Sequence, residues 1–453
     1  MLRATDNNCG KNNKGEKFTI IQDKVEDLKK IANIQIKDIK LEENPNLLVF
    51  PYSFDDCKDK VYDDVIFDLQ DDILTTGNVM GFVGINESEL TIHSRFSKNE
   101  NEEKEDDYFL HYMLQKVFSI NLFNLKHSSN KENIFDFLIY LFPYFLRKAL
   151  AQGLYKEYQK NSYNDANVRG SIDVNSHIRC NIPFNGRVAY RVREHDYDNK
   201  TTQLIRHTIE LIKKHEFANK VLTNDADTQS CVMQIVQSTP SYDFNLRRSV
   251  INKNLRPLIH PYYSEYKDLQ RICMQILRYE GLKFGENNDK VYGLLFDGAW
   301  LWEEYLFTVL KDCNFNHPEN KTSKGAIYLF SNPKSGIRYP DFWKKNFILD
   351  AKYKNLSMGI ERDDINQIIS YMYVKEAALG GFLYPSKNTD KIKCENIGKL
   401  NGYGGFVKKW SIPIPQNADN FNMFCSLMAE RESRLKLSII NEEIAINDEM
   451  KLS

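Results

Sequence analysis

A chain of 453 residues, 42% hydrophobic and 27% charged, has the length of two to four domains and the composition of an ordinary globular protein. Sixty-one basic and 62 acidic residues leave a net charge of −1, which excludes a global basic field, so any nucleic-acid contact must come from local clusters. The eight cysteines include no CxxC pair, which argues against a zinc knuckle and for reduced thiols in a cytoplasmic protein.

The first 17 residues, MLRATDNNCGKNNKGEK, lack the apolar stretch of a secretory signal and read as disordered. Residues 18–107 contain runs rich in β-formers (FTII, NLLVFPYSF, VMGFVGI, LTIHSRF) between Gly and Asp/Asn clusters, and predict a mainly β N-terminal domain. That region closes in KNENEEKEDD, expected to be a solvated loop. Residues 108–285 predict a mainly helical middle region, from the helical periodicity of YFLHYMLQKVF and IFDFLIYLFPYFL and of two later amphipathic runs. The greasiest run contains Asp136 and Pro143 and falls short of the roughly 20 apolar residues that span a bilayer, so a buried helix is expected and no membrane partner. A polar β/loop insertion is expected at 163–199.

From residue 286 onward, VYGLLFDGAWLWEEYLFTVLKDC reads as one helix. Strands follow, then the helix DDINQIISYMYVKEAA, the strand GGFLYPS, and a tail that is helical or partly disordered. Helix, strands, helix, strand predicts a mixed sheet flanked by helices, so residues 286–453 should form an α/β domain of a multidomain α+β chain.

The chemistry concentrates in RYPDFWKKNFILDAKYK, residues 338–354. Side chains alternate faces along a strand, which places Ile348, Asp350, Lys352 and Lys354 together. A strand over 338–342, turning at Lys344-Lys345-Asn346, would set Asp341 opposite position 349 or 350. Two carboxylates and an amine then converge. Paired acids repel unless a cation lies between them, and a hard divalent ion satisfies both while keeping several waters. A water so held can attack a phosphodiester, with the lysine stabilising developing charge. A bare [DE]-x-K is uninformative, since Asp27-Leu28-Lys29 and Asp56-Cys57-Lys58 also match and read as solvated surface. The bland alternative is an edge hairpin with solvated charges.

With Pro340-Asp341, an apolar strand and Asp350-Ala351-Lys352 in that order, the segment resembles the PD-(D/E)xK (restriction-endonuclease-like) signature. That resemblance implies an auxiliary acid on the preceding helix, Glu303 or Glu304 in WLWEEYLF. It also implies a supporting role for Gln367 and Tyr371, spaced like the QxxxY feature of RecB-like nucleases. Asp341, Asp350 and Glu303 would be the metal ligands, with Mg²⁺ or Mn²⁺ as cofactor, and Lys352 the catalytic amine.

The resemblance extends further. TTGNVMGFVGINESELTIHSRF, FLHYMLQKVF, Arg169-Gly170-Ser171-Ile172-Asp173, His177, Asn181, Arg193-Glu194, Asp198-Asn199 and TQLIRHTIELI are similar to McrC-type subunits of McrBC restriction systems. This implies an endonuclease subunit that binds and stimulates an McrB-like AAA+ GTPase hexamer and cleaves double-stranded DNA, methylated foreign DNA in particular. No Walker A motif is present, since Glu16 follows Gly15 where the lysine should stand, so this chain is expected to bind no nucleotide. Arg338, Lys354 and Arg169 are candidate DNA contacts. Arg95, Arg187, Arg191 and Arg193 are candidates for ring or DNA contacts, with a solvated face the bland alternative for each. The competing readings are a non-cleaving regulatory subunit that activates the motor and a stand-alone RecB-like nuclease.

Overall fold

The computed structural model describes residues 2–11, 17, 27–39, 44, 47–51, 65–86, 88–97, 107–118, 130–214, 219–223, 225–282, 291–318, 325–387, 391–402 and 404–452. The FTII run and residues 98–106 of the charged stretch lie outside them. The chain divides into two compact units, one formed by Met1–Lys126 with Asn287–Ser453 and the other by His127–Glu286.

The first unit opens with strands β1 (Leu2–Thr5), β2 (Leu47–Phe50), β3 (Phe67–Gln70), β4 (Ile73–Thr76), β5 (Val79–Ile85) and β6 (Ser88–His93), then helix α1 (Tyr108–Phe118). β1 corrects the expectation of a disordered leader. It pairs in parallel with β6, Leu2 opposite Leu90, and so depends on a partner almost ninety residues away rather than on local apolar content. β5 and β6 form an antiparallel hairpin, and β3 and β4 a second one.

The second unit contains α2 (Asn130–Leu150), β7 (Glu157–Asp165), β8 (Ser171–Ile172), α3 (Val174–Cys180), β9 (Val188–Asp196), α4 (Lys200–Lys214), α5 (Ala226–Ser238), α6 (Arg247–Lys253) and α7 (Glu265–Leu282). α2 carries Pro143 inside it, and its interior face is buried through Phe137, Leu141, Phe142 and Leu146. β7, β9 and β8 make a small antiparallel sheet whose connections leave Ile172, Val174, Ile178, Ile182 and Phe184 exposed. The Asp198-Asn199 corner is a hydrogen-bonded polar turn with Asn199 buried. Asn199 donates to the carbonyls of Tyr155, Asp196 and Tyr197, and Asp198 accepts from Ser241 N. Arg193, by contrast, is exposed.

The first unit resumes with β10 (Val291–Asp297) and α8 (Gly298–Leu310). VYGLLFD is therefore a strand and not the start of the helix. All seven of its residues are buried, and a continuous apolar run on a central strand has no period to distinguish it from a buried helix. β10 lies antiparallel to β5 and parallel to β2, completing the sheet order β1-β6-β5-β10-β2. The close approach requires Gly81, at φ +125, where a Cβ would lie 2.0 Å from the Leu294 carbonyl oxygen.

Next come β11 (Ile327–Ser331), β12 (Lys334–Arg338), β13 (Phe342–Lys344), β14 (Phe347–Ala351), α9 (Arg362–Lys375), β15 (Leu379–Ser386), β16 (Lys393–Lys399), β17 (Phe406–Pro413) and α10 (Phe421–Leu452). The second five-stranded sheet runs β13-β14-β15-β17-β16. Its interior strands are parallel and the two edges antiparallel, the mixed sheet expected of this region. α9 buries Ile368, Tyr371 and Met372 in a core with Ile348, Phe382, Tyr384 and Val407. The tail is not disordered over the described residues. α10 is helical to Leu452 and is tied to the sheet, with Trp410 Nε1 donating to Ser438 Oγ at 3.0 Å and Lys344 paired with Glu443 at 2.5 Å.

Candidate active site

The site forms where β13, β14, α8 and α9 meet. The strand expected over 338–342 is interrupted. β12 ends at Arg338 and pairs with β11, and only Phe342–Lys344 pair with β14. Pro340 supplies the break, since it has no N–H to give a ladder. The hairpin register is nevertheless the one the spacing implied, with Lys344 opposite Phe347 and Phe342 opposite Leu349. Asn346 occupies the turn at φ +63, a conformation asparagine tolerates. Continuing the register sets Asp341 at the level of Asp350, and Asp341 Oδ2 accepts from Ala351 N at 2.7 Å.

Asp350 is 1% exposed, and its Oδ2 lies 2.8 Å from the Lys352 ammonium without a hydrogen bond of good geometry. Burial first, and then the negative charge of Asp341, push its carboxyl up to about 7, with Lys352 opposing. Lys352 also donates to Gln367 Oε1 at 2.9 Å and stands 3.4 Å from Asp364 Oδ1. Burial works against the Lys352 ammonium, but Asp350, Asp341 and Asp364 together outweigh it and hold the amine firmly protonated.

α8 begins at an N-cap, Asp297 Oδ1 accepting from Ala299 N at 2.9 Å, which fixes the face the helix presents. Of the two acids on it, Glu303 is the one that feels the cluster. Burial, then Asp341, Glu304 and Asp350, raise its carboxyl well above the usual range. Both acids also reach His317, Glu304 lying 3.5 Å from Nε2 and Glu303 3.8 Å from Nδ1; the His317 ring stacks on Phe342, and its Nδ1 lies 2.9 Å from the Asp341 carbonyl oxygen.

On α9, Gln367 Nε2 donates to the Tyr371 hydroxyl at 2.5 Å, and that hydroxyl donates to the Tyr339 carbonyl at 2.9 Å. The pair therefore braces both the Lys352 ammonium and the segment leading into Asp341. Asp364, in the first turn of α9, was not legible as a site residue. It is 8% exposed and pairs with Lys352 and, at 2.8 Å, with Lys354. Only its place one turn before Gln367 on the helix signals that it faces the same way.

The candidate DNA contacts are less uniform. Lys354 is tied to Glu361 at 2.8 Å as well as to Asp364, so its charge is already partnered. Arg338 is half-buried and donates to the Ile337 carbonyl. Arg169 belongs to the second unit, where it is exposed and lies over the Tyr163 ring. Arg95 is no surface contact: its guanidinium is enclosed by Asp6, Asn78 and Tyr353.

Among the described residues no three His, Cys, Asp or Glu side chains are gathered tightly enough to hold a metal ion. Glu303, Asp341 and Asp350 sense one another's charge but do not form a closed three-ligand cage. Their chemistry still suits a hard cation. Asp350 Oδ2 is a buried acceptor without a hydrogen bond, burial and then the neighbouring acids raise the carboxyls of Asp350 and Glu303, and Mg²⁺ commonly takes only one or two carboxylates plus waters.

The family model of McrBC 5-methylcytosine restriction system components matches residues 74–385. No curated protein matches the chain as a relative. A refined half-complex from the tetradecameric assembly of Thermococcus gammatolerans McrB AAA+ hexamers with bound McrC is similar at 15% identity and a TM-score of 0.40, covering 83% of this chain and 86% of that one. The cryo-EM structure of the Thermococcus gammatolerans McrBC complex is similar at 14% identity and a TM-score of 0.29, covering 69% and 87%.

Proposed function

The chain belongs to the McrBC family of 5-methylcytosine restriction system components, and we propose that it is the McrC-type nuclease subunit, hydrolysing DNA phosphodiesters in company with an McrB-type AAA+ GTPase. The observation that carries this reading is the meeting of Asp341, Asp350 and Lys352 at one end of a hairpin, against Glu303 on α8 and Gln367 and Tyr371 on α9. Their residue types and order support the PD-(D/E)xK reading.

Asp350 and Asp341 would hold a Mg²⁺ or Mn²⁺ ion, with Glu303 facing it. When bound, the ion would supply Lewis acidity toward the phosphate and lower the pKa of a coordinated water. The chain's own residues do the rest. Lys352 keeps its proton and places a positive charge where negative charge develops on the phosphorane oxygens. Gln367 fixes the lysine's direction, and Tyr371 fixes Gln367. The Asp341 and Ala351 contact holds the two carboxylates in register across the hairpin.

The test is Asp350→Ala in the complex with the GTPase, supplied with GTP, Mg²⁺ and methylated DNA. Stimulation of GTP hydrolysis should persist while cleavage falls to background. Persistent cleavage would show that this site is not the nuclease. Cleavage by the isolated wild-type chain without GTP or partner would instead favour a stand-alone enzyme.

A further inference from the structure

One half-buried polar group in the first unit takes no part in the chemistry just described, yet it contacts one of the segments that carry it directly and the other through Asn78. Arg95 follows β6 and has a side chain 21% exposed. Its Nη2 donates to the backbone carbonyl of Tyr353, the residue directly after Lys352, and to Asn78 Oδ1 at 3.0 Å. Asn78 in turn grips the start of α8. Its Nδ2 donates to Asp297 Oδ1 at 3.3 Å, and its carbonyl accepts from Gly298 N at 2.9 Å. Asp297 is the residue that caps α8, and α8 carries Glu303.

The guanidinium is itself held from the other side. Asp6, fully buried after β1, lies 3.6 Å from Arg95 Nη1 and accepts from the Arg95 backbone N–H. The Arg95 guanidinium also lies over the Tyr353 ring, 4.6 Å from its centroid. Tyr353 is pinned independently, its hydroxyl 2.7 Å from Ser94 Oγ and its ring edge-on to Phe96.

From this geometry we infer that Arg95 is a positioning residue that sets the spacing between Glu303 on α8 and the Asp350–Lys352 strand end, so that the N-terminal sheet fixes the shape of the metal-binding centre. The inference rests on the nuclease reading above. Its physical basis is the planar guanidinium of arginine, whose Nη2 reaches acceptors on two segments while Nη1 faces Asp6, which fixes the plane. A lysine at the same place is a compact point charge and cannot hold both acceptors in that geometry. The two segments are far apart in sequence and are joined at one carbonyl, that of Leu383, which accepts from Trp302 Nε1 of α8 at 3.3 Å and from Lys352 N at 2.9 Å; Arg95 and Asn78 add a second link. A displacement of about 1 Å at a reacting centre costs on the order of 100-fold in rate.

The experiment compares wild type, Arg95→Lys, Asn78→Ala, Tyr353→Phe and Asp350→Ala, each confirmed folded by circular dichroism and melting. Two readouts are taken. Steady-state cleavage is measured in the GTPase complex, and Mn²⁺ binding to the subunit alone is followed by electron paramagnetic resonance. Arg95→Lys and Asn78→Ala should each lower kcat about 10-fold or more with KM for DNA within about 2-fold. Both should weaken Mn²⁺ binding several-fold and leave GTPase stimulation intact. Tyr353→Phe keeps the backbone carbonyl and should retain wild-type kcat. Should Arg95→Lys fail to fold, Asn78→Ala breaks the same link while leaving the Asp6 pair in place, and decides the matter alone. Wild-type kcat and Mn²⁺ affinity in folded Arg95→Lys or Asn78→Ala, beside an inactive Asp350→Ala, would overturn the inference and leave the nuclease reading standing. Cleavage by Asp350→Ala would overturn both.

Discussion

Asp350 shows how much one position depends on its neighbours. A carboxylate buried to this degree beside another acid is held by a single cation, and Lys352 is that cation in the present structure. Lys352→Met should therefore reduce cleavage by about 100-fold or more, measured as kcat in the GTPase complex. The loss of stability should fall below the roughly 3–5 kcal/mol typical of a broken buried pair, because an Asp350 carboxyl already raised to about 7 can take up a proton instead. His207, in the second unit, makes the opposite case. It is fully buried, neither ring nitrogen has a hydrogen bond, and burial, with Arg247 and Arg206 nearby, pushes its pKa down to about 4. Its folded pKa lies below its unfolded value, so the unfolded chain binds the extra proton. Stability is thus full above about pH 6.5 and is lost as pH falls toward 4, by up to about 3 kcal/mol. His207→Leu should flatten that slope in urea melts at pH 7 and pH 4.5.

At the scale of elements, α10 gains its role from one acid. Glu432 is buried and accepts from Tyr112 of α1 at 2.7 Å and Tyr305 of α8 at 3.0 Å, and it pairs with Lys116 at 2.8 Å. Two elements distant in sequence, α1 and α8, are fastened to this one carboxylate of α10, and α8 carries Glu303. Glu432→Ala should cost about 2–4 kcal/mol in chemical denaturation, since it strands two buried hydroxyls, whereas Glu432→Gln should cost about half as much. The hairpin of β13 and β14 was legible because its information is local: alternation fixes the face and a two-residue turn fixes the register. β10 was not, because seven consecutive buried residues carry no periodicity and only the flanking strands make them extended. β1 was missed for a related reason, being a short strand whose partner is remote.

For the whole molecule, the clustered carboxylates predict that a divalent cation stabilises the fold. Mg²⁺ or Mn²⁺ at ten times its dissociation constant should add about 1.4 kcal/mol to the unfolding free energy, seen as a rise in melting temperature, and the rise should vanish in Asp350→Asn. No helix among the described residues is long and apolar enough to cross a membrane. The sequence by itself determined the β13–β14 hairpin register, the helix with Gln367 and Tyr371, and the family, because each is written in short-range spacing of chemically distinctive residues. Only the tertiary structure decided that Glu303 senses the charge of Asp341 and Asp350, that Asp364 braces both lysines, and that Arg95 is half-buried beside the motif strand. Those assignments depend on how helices are rotated and which remote strands pair, and packing settles them through contacts between residues that no local pattern relates.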